Sequence, residues 1–151
     1  SFDQDPRFGL VVLAEIASRA LSPAVNDSGT AIDVIGRSVR ALAQWGTLLE
    51  QSPRQIRYPN VFVPALSCQD LFEDIFLPIA HDGAGQIQVQ IRLQKALIAL
   101  ATMHPERFYS SALKLSAKAL ELAVVQHYTE DEKHQLSHLA HQISPHRRQS
   151  S

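Results

Sequence analysis

Apolar and polar positions alternate along this chain with a helical period over most of its length. Leu10, Leu13, Ala14, Ala17 and Leu21 keep the spacing of one helix face within a segment, Phe8 to Leu21, whose only polar residues are Glu15, Ser18 and Arg19. Asp5 ahead of Pro6 supplies an N-cap carboxylate and a first-turn proline. Ser22-Pro23 stops the helix, because the residue before proline avoids the α region. Glu15 stands four before Arg19, a favourable pair on a helix. So apolar a segment is expected either to lie at the centre of the core or to be partly covered by a partner.

Asn26, Asp27 and Ser28 are all N-cap types, so a second helix is expected to start there and to end near Glu50, before Ser52-Pro53. Its inner stripe reads Ile32, Ile35, Val39, Leu42 and Leu49, with Asp33, Arg37, Arg40 and Gln44 opposite. Gln51 to Leu66 carries Pro53, Pro59 and Pro64 around Val61-Phe62-Val63 and reads as an irregular connector with one short extended piece. Ser67 caps a third helix, with Leu66 stapled to Leu71 and an inward face of Leu71, Phe72, Ile75, Phe76 and Ile79. Pro78 and then His81-Asp82-Gly83-Ala84-Gly85 end it.

Ile87, Val89, Ile91 and Leu93 alternate with Gln88, Gln90, Arg92 and Gln94, as in a strand. The run continues without a break into Lys95 to Ala101, which has strong helix-forming composition, so one helix over Gln86 to Met103 is predicted. Pro105 opens a fifth, Glu106 to His127, with the stripe Phe108, Ala112, Leu115, Ala119 and Leu122. Thr129 and Glu132 form a capping box for a sixth, Glu130 to Ile143, before Ser144-Pro145 and a polar tail. The prediction is an all-α bundle of five to six helices with a short proline-rich connector, one domain over 1–151. Its core spans about 3–127, and a histidine-rich helix and tail fill 128–151.

Composition narrows the function. The 151 residues carry 14 Lys+Arg against 15 Asp+Glu, a net charge of −1, which excludes a strongly basic nucleic-acid binder. Arg147-Arg148 is too short for a nucleic-acid patch. A single cysteine, Cys68, excludes an internal disulfide or a multi-cysteine zinc site. There is no apolar run of bilayer-spanning length. A start at Ser1 without a signal-peptide pattern reads as a piece of a longer protein.

Four features could carry chemistry. His134 and His138 share a helix face and could chelate a divalent metal, with His141 extending the stripe. Leu136, Leu139, Ala140 and Ile143 lie opposite, so the pair is expected to face solvent. The acidic group Asp70, Glu73 and Asp74 sits at a helix N-terminus, where the macrodipole already accounts for it. The turn with Ser22, Asn26, Asp27 and Thr30 could bind an anion through free N–H groups, but Asp27 repels anions and can cap the helix itself. His81-Asp82-Gly83 could be an active-site loop, although a helix-to-helix turn needs glycine anyway. Cys68, near a helix N-terminus, is either a thiol of lowered pKa or simply packed. No nucleophile elbow, phosphate loop or dinucleotide fingerprint is present, and no cofactor is implied.

Asp5-Pro6-Arg7-Phe8-Gly9, then Ala20-Leu21-Ser22-Pro23 and Asn26-Asp27-Ser28-Gly29-Thr30-Ala31, resemble a family of bacterial predicted membrane proteins, domain of unknown function 2254. Val61-Phe62-Val63-Pro64 before Asp70-Leu71, and the helix running into His81-Asp82-Gly83, follow the same pattern. The resemblance covers about the first two thirds of the chain. Many members carry proline where Ser28 stands, which fits a helix starting there with Asp27 as its cap. The resemblance implies a water-soluble helical domain following transmembrane helices, on the cytoplasmic side of the inner membrane. It brings no reaction and no catalytic residue. The expectation is therefore a non-catalytic domain for assembly or regulation, tethered to a membrane and homo-oligomeric. The alternatives are a ligand-binding or enzymatic domain using Ser22, Asn26, Asp27 and Thr30, or a surface metal site at His134 and His138.

Overall fold

A computed structural model describes residues 6–51 and 67–143 of the chain. Among them lie six α-helices and no strand: α1 Pro6–Ala20, α2 Ser28–Gln51, α3 Cys68–Asp82, α4 Ile87–Met103, α5 Pro105–Val124 and α6 Glu130–Ala140. The expected all-α bundle is what forms. The Asp5 cap, the extended piece at Val61-Phe62-Val63, the Leu66 staple and the stop at Ser144-Pro145 lie outside the described residues.

The main packing of the first five helices runs in the cyclic order α1, α2, α4, α5, α3 and back to α1, with lesser contacts of α3 to α4 and α2 across it. The core fills the middle of this ring. Phe72 and Phe76 of α3, Phe108 of α5, Leu10 of α1, Ile35 and Leu42 of α2, and Leu93 and Leu97 of α4 are fully enclosed there. Phe72 centres the aromatic packing, with ring centroids 5.3 Å from Phe108 and 5.5 Å from Phe76. α6 lies outside the ring over α4 and α5, burying Leu136 and Leu139. Ile143, just past its end, joins the same core.

The strand-like alternation in α4 has a clear cause. Gln90 and Gln94 are inside, not outside: the Gln90 amide donates to the Gly83 carbonyl at 2.9 Å, and the Gln94 amide to that of Ser116 at 3.1 Å. Ser116 Oγ donates back to Gln94 Oε1. Buried positions 89, 90, 93, 94, 96 and 97 thus follow a helical period.

Several expectations need correction. α1 is not at the centre of the core. Among the described residues it packs mainly on α2 and α3, and Phe8 is 70% exposed and Val11, Val12 and Ile16 about 40%. The buried face of α2 is turned from the expected stripe. Ala31, Val34, Ile35, Ser38, Leu42 and Gly46 are enclosed, whereas Ile32, Val39 and Leu49 are half-buried. α2 packs against both α1 and α4, and that double contact selects small residues for close approach. Pro78 does not end α3, which continues through it to Asp82. α5 and α6 stop at Val124 and Ala140, three residues earlier than expected.

Candidate functional site

The polar turn between α1 and α2 is built from its own hydrogen bonds. Asp27 is the α2 cap: its Oδ1 accepts the Thr30 N–H at 3.1 Å and its Oδ2 accepts the Thr30 hydroxyl. These two bonds, side chain before backbone, hold the Asp27 carboxyl below the usual carboxylate range. Asn26 adopts φ 48°, the left-handed conformation that asparagine tolerates. Its Oδ1 accepts from Gln86 Nε2 at 2.9 Å, joining the turn to the start of α4. Ser22 Oγ donates to the Arg19 carbonyl at 2.8 Å and so closes the end of α1. The structure therefore brings Asp27 and Thr30 together through their side chains, while Ser22 and Asn26 meet through the backbone, the Asn26 N–H donating to the Ser22 carbonyl at 2.8 Å, and their side chains bond elsewhere.

The His81-Asp82-Gly83-Ala84-Gly85 turn is held from three sides. Ser18 Oγ donates to Asp82 Oδ2 at 3.4 Å, Gln90 to the Gly83 carbonyl, and Tyr128 Oη to the Ala84 carbonyl. Burial, and secondarily Glu132, push the Tyr128 phenol up to about 12. Glycine is required at 83 for space and not for a left-handed φ. A Cβ there would sit 2.7 Å from Val89 Cγ1 and 2.9 Å from the Ile79 carbonyl oxygen.

The acidic group at the start of α3 is also used structurally. Ser67 Oγ accepts the Asp70 N–H at 3.1 Å, Gln69 donates to Glu73 at 2.7 Å, and Asp74 pairs with Arg7 at 3.4 Å. Cys68 is packed rather than activated: burial raises its thiol above the ordinary value, and Arg107 only partly opposes this. His134 and His138 are exposed on one face of α6, as expected. Among the described residues no three His, Cys, Asp or Glu side chains form a metal-sized cluster.

The richest polar constellation is one the residue pattern does not announce. His104 is the single residue between α4 and α5, held extended by the proline that follows it. Its N–H donates to the Leu100 carbonyl, and its own carbonyl accepts from Arg107 and Phe108. The side chain enters the corner beside α2 and is 8% exposed. Nδ1 lies 2.7 Å from Glu50 Oε1, and Nε2 lies 3.1 Å from the Ala43 carbonyl oxygen and 3.4 Å from Thr47 Oγ1. The ring meets Phe108 edge-on at 5.5 Å.

A hydroxyl, an imidazole and a carboxylate in that order invite comparison with a nucleophile triad. The hydrogen bonds speak against it. Thr47 Oγ1 donates to the Ala43 carbonyl at 3.0 Å, and Nε2 faces that same acceptor. An imidazole that donates at Nε2 cannot take a proton from Thr47. An oxygen faces each ring nitrogen, Glu50 Oε1 at Nδ1 and the Ala43 carbonyl at Nε2.

Above this corner lies a cleft of about 590 Å³, lined by Ala43, Gln44, Thr47, Leu48, Met103 and His104. A second, of about 290 Å³, lies between α3 and α5 beside Gln69, Glu73, Lys114 and Lys118. Gly46 was the available signal for the first. It is a glycine at mid-helix in α2, with a histidine before a proline elsewhere in the chain to fill the space it leaves.

Among the described residues no helix is long and apolar enough to cross a membrane. No curated protein and no solved structure matches the chain. A family model described as a predicted membrane protein matches residues 1–99, which include α1, α2, α3 and most of α4. The motifs at Asp5 to Gly9 and Ala20 to Ala31 fall inside that match, and the chain belongs to the predicted membrane protein family DUF2254.

Proposed function

We propose that this chain is a non-catalytic helical domain of a bacterial inner-membrane protein, used for assembly, and that α1 pairs with a second copy. The observation that supports this most is the outer face of α1. Phe8, Val11, Val12 and Ile16 follow helical spacing on one side and are 70%, 39%, 40% and 41% exposed. Together they expose roughly 300–400 Å², the size of the largest apolar patch on a typical monomer and often a contact surface. Exposed Arg7, Glu15, Ser18 and Arg19 lie on the same helix, and the helical period puts Glu15 and Arg19 on the side of Phe8 and Val12.

The pattern is also self-complementary. Phe8 and Ile16 each lie four residues from Val12, so an antiparallel copy sets Phe8 against Ile16 and Val12 against its own counterpart. A two-fold interface requires such a match. Family membership supports the membrane tether, and the cytoplasmic placement is carried over from the family resemblance.

Sedimentation of the chain over a wide concentration range tests the pairing. A concentration-dependent shift toward a dimer, removed by Phe8→Glu with Val12→Glu, is the expected result. A monomeric mass at every concentration, identical in the variant, contradicts it.

A further inference from the structure

We propose, resting on the membrane tether proposed above, that the outer side of the α2–α4 seam lies against anionic lipid headgroups, with α3 turned away from the bilayer. Charge is unevenly spread over the bundle. Residues 33–40 of α2 and 87–103 of α4 hold four exposed cations, Arg37, Arg40, Arg92 and Lys95, and one acid, Asp33. Of these four only Arg37 has an acidic partner among the described residues, Asp33 at 3.0 Å. α3 is the reverse: it carries Asp70, Glu73, Asp74 and Asp82 with no Lys or Arg. The cyclic order of the helices sets α3 across the core from the α2–α4 seam. A chain with a net charge of −1 thus keeps its cations and a run of acids on opposite sides.

Two contacts fix the level of the seam's helices. Asn26 meets Gln86 near one end and Ala43 meets His104 toward the other, so α2 and α4 run parallel with positions about sixty apart side by side. The four cations therefore span only about 12 Å along the seam. Arg40 lies about 16 Å short of the end of α2 at Gln51, so the patch belongs to the body of the helices. Of the acids flanking it, Asp27 caps α2, Glu132 caps α6 and Glu130 pairs with Lys133, while Asp131 is left exposed beyond α4.

Each cation close to an anionic bilayer favours binding about fivefold. Four of them bind weakly alone, and a tether supplies the effective concentration that makes such a contact persistent. The α1 pair is compatible with this placement. In a ring of five helices the α2–α4 seam faces roughly at right angles to the outer side of α1. A two-fold axis normal to the bilayer, which antiparallel α1 helices allow, presents both seams to the same surface.

Cosedimentation of the chain with sucrose-loaded vesicles at low ionic strength tests the face. The chain should bind vesicles of equal parts phosphatidylcholine and phosphatidylglycerol, not pure phosphatidylcholine, and high salt should release it. Arg40→Gln with Arg92→Gln and Lys95→Gln should cut partitioning by at least about tenfold at an unchanged thermal midpoint. Arg19→Gln with Lys114→Gln and Lys118→Gln makes the same change in net charge on α1 and α5 and should cut it by only about twofold. No binding to the anionic vesicles, equal binding to neutral ones, or equal loss in the two triple variants overturns the proposal. Salt-sensitive self-association without lipid, removed by the seam variant, would give the seam to α3 of a second copy and overturns it too. Fractionation of the full protein reads the tether separately. Vesicle binding lost while the full protein stays in membranes through a high-salt wash overturns the face and leaves the tether standing. A full protein recovered outside the membrane overturns both.

Discussion

A Cβ built on Gly46 lies 2.7 Å from Cδ2 of His104, so the absence of a side chain at mid-helix in α2 is what lets the imidazole reach Ala43 and Glu50. The ring is boxed in by Phe108 on another side and has little room to retreat. Gly46→Ala should therefore lose roughly 1–3 kcal/mol to overpacking, outweighing the gain of up to about 1 kcal/mol in helix propensity. Gly36→Ala is the matched control. Its Cβ would meet only the end of the Arg40 side chain at 3.7 Å, an ordinary contact, so stability should rise by about 0.5–1 kcal/mol. Urea unfolding of the two variants should shift the midpoint in opposite directions, and a gain at both would contradict the packing of His104 on α2.

Asp27 makes a prediction in acid. Its carboxyl is held below the unfolded value, so the capping contribution is complete above the ordinary aspartate range. It is lost as pH falls through the lowered folded value. Asp27→Ala should destabilise the chain at pH 7 and should flatten the part of the acid limb that this carboxylate produces. Thermal midpoints measured from pH 7 down to pH 2 check this. An unchanged acid limb would mean that the Thr30 contacts contribute nothing to folding.

Tyr128 makes the converse prediction in alkali. Its phenol is raised to about 12 in the folded chain, above the unfolded value of 10. The folded state therefore holds the proton longer, and stability should decline as pH rises from 10 toward 12. Tyr128→Phe removes both this slope and the hydrogen bond to the Ala84 carbonyl. It should cost about 0.5–1.5 kcal/mol at pH 7. Denaturant unfolding of both chains between pH 8 and 11 reads the two effects separately.

The helices themselves were legible because their signals are local. Ser67 and the Thr129–Glu132 box cap where their spacing says they should. The inward face of α3 is the one its apolar residues mark. What the chain did not reveal depends on partners far along the sequence. Gln94 reads as a surface residue until Ser116, twenty-two positions later, supplies its hydrogen bonds. The burial of His104 depends on Glu50 and Ala43, more than fifty positions earlier. The polar turn was legible as a cap, since Asp27 and Thr30 are three residues apart, while the Asn26–Gln86 bond spans sixty. α1 was misplaced for a related reason. Apolar content tells that a face avoids water, but not whether the same chain or another covers it.

The central claim, that a second copy covers α1, is tested most directly in the membrane. Val12→Cys in a Cys68→Ala background would be oxidised in native membranes of the full protein, with a cysteine at Lys95, on exposed α4 surface, as control. Val12 sits at the centre of the proposed antiparallel contact, where the two copies of one residue meet. The account predicts a disulfide-linked dimer from Val12→Cys, none from Lys95→Cys, and loss of the dimer on adding Phe8→Glu. No dimer from Val12→Cys above the Lys95→Cys control would contradict it.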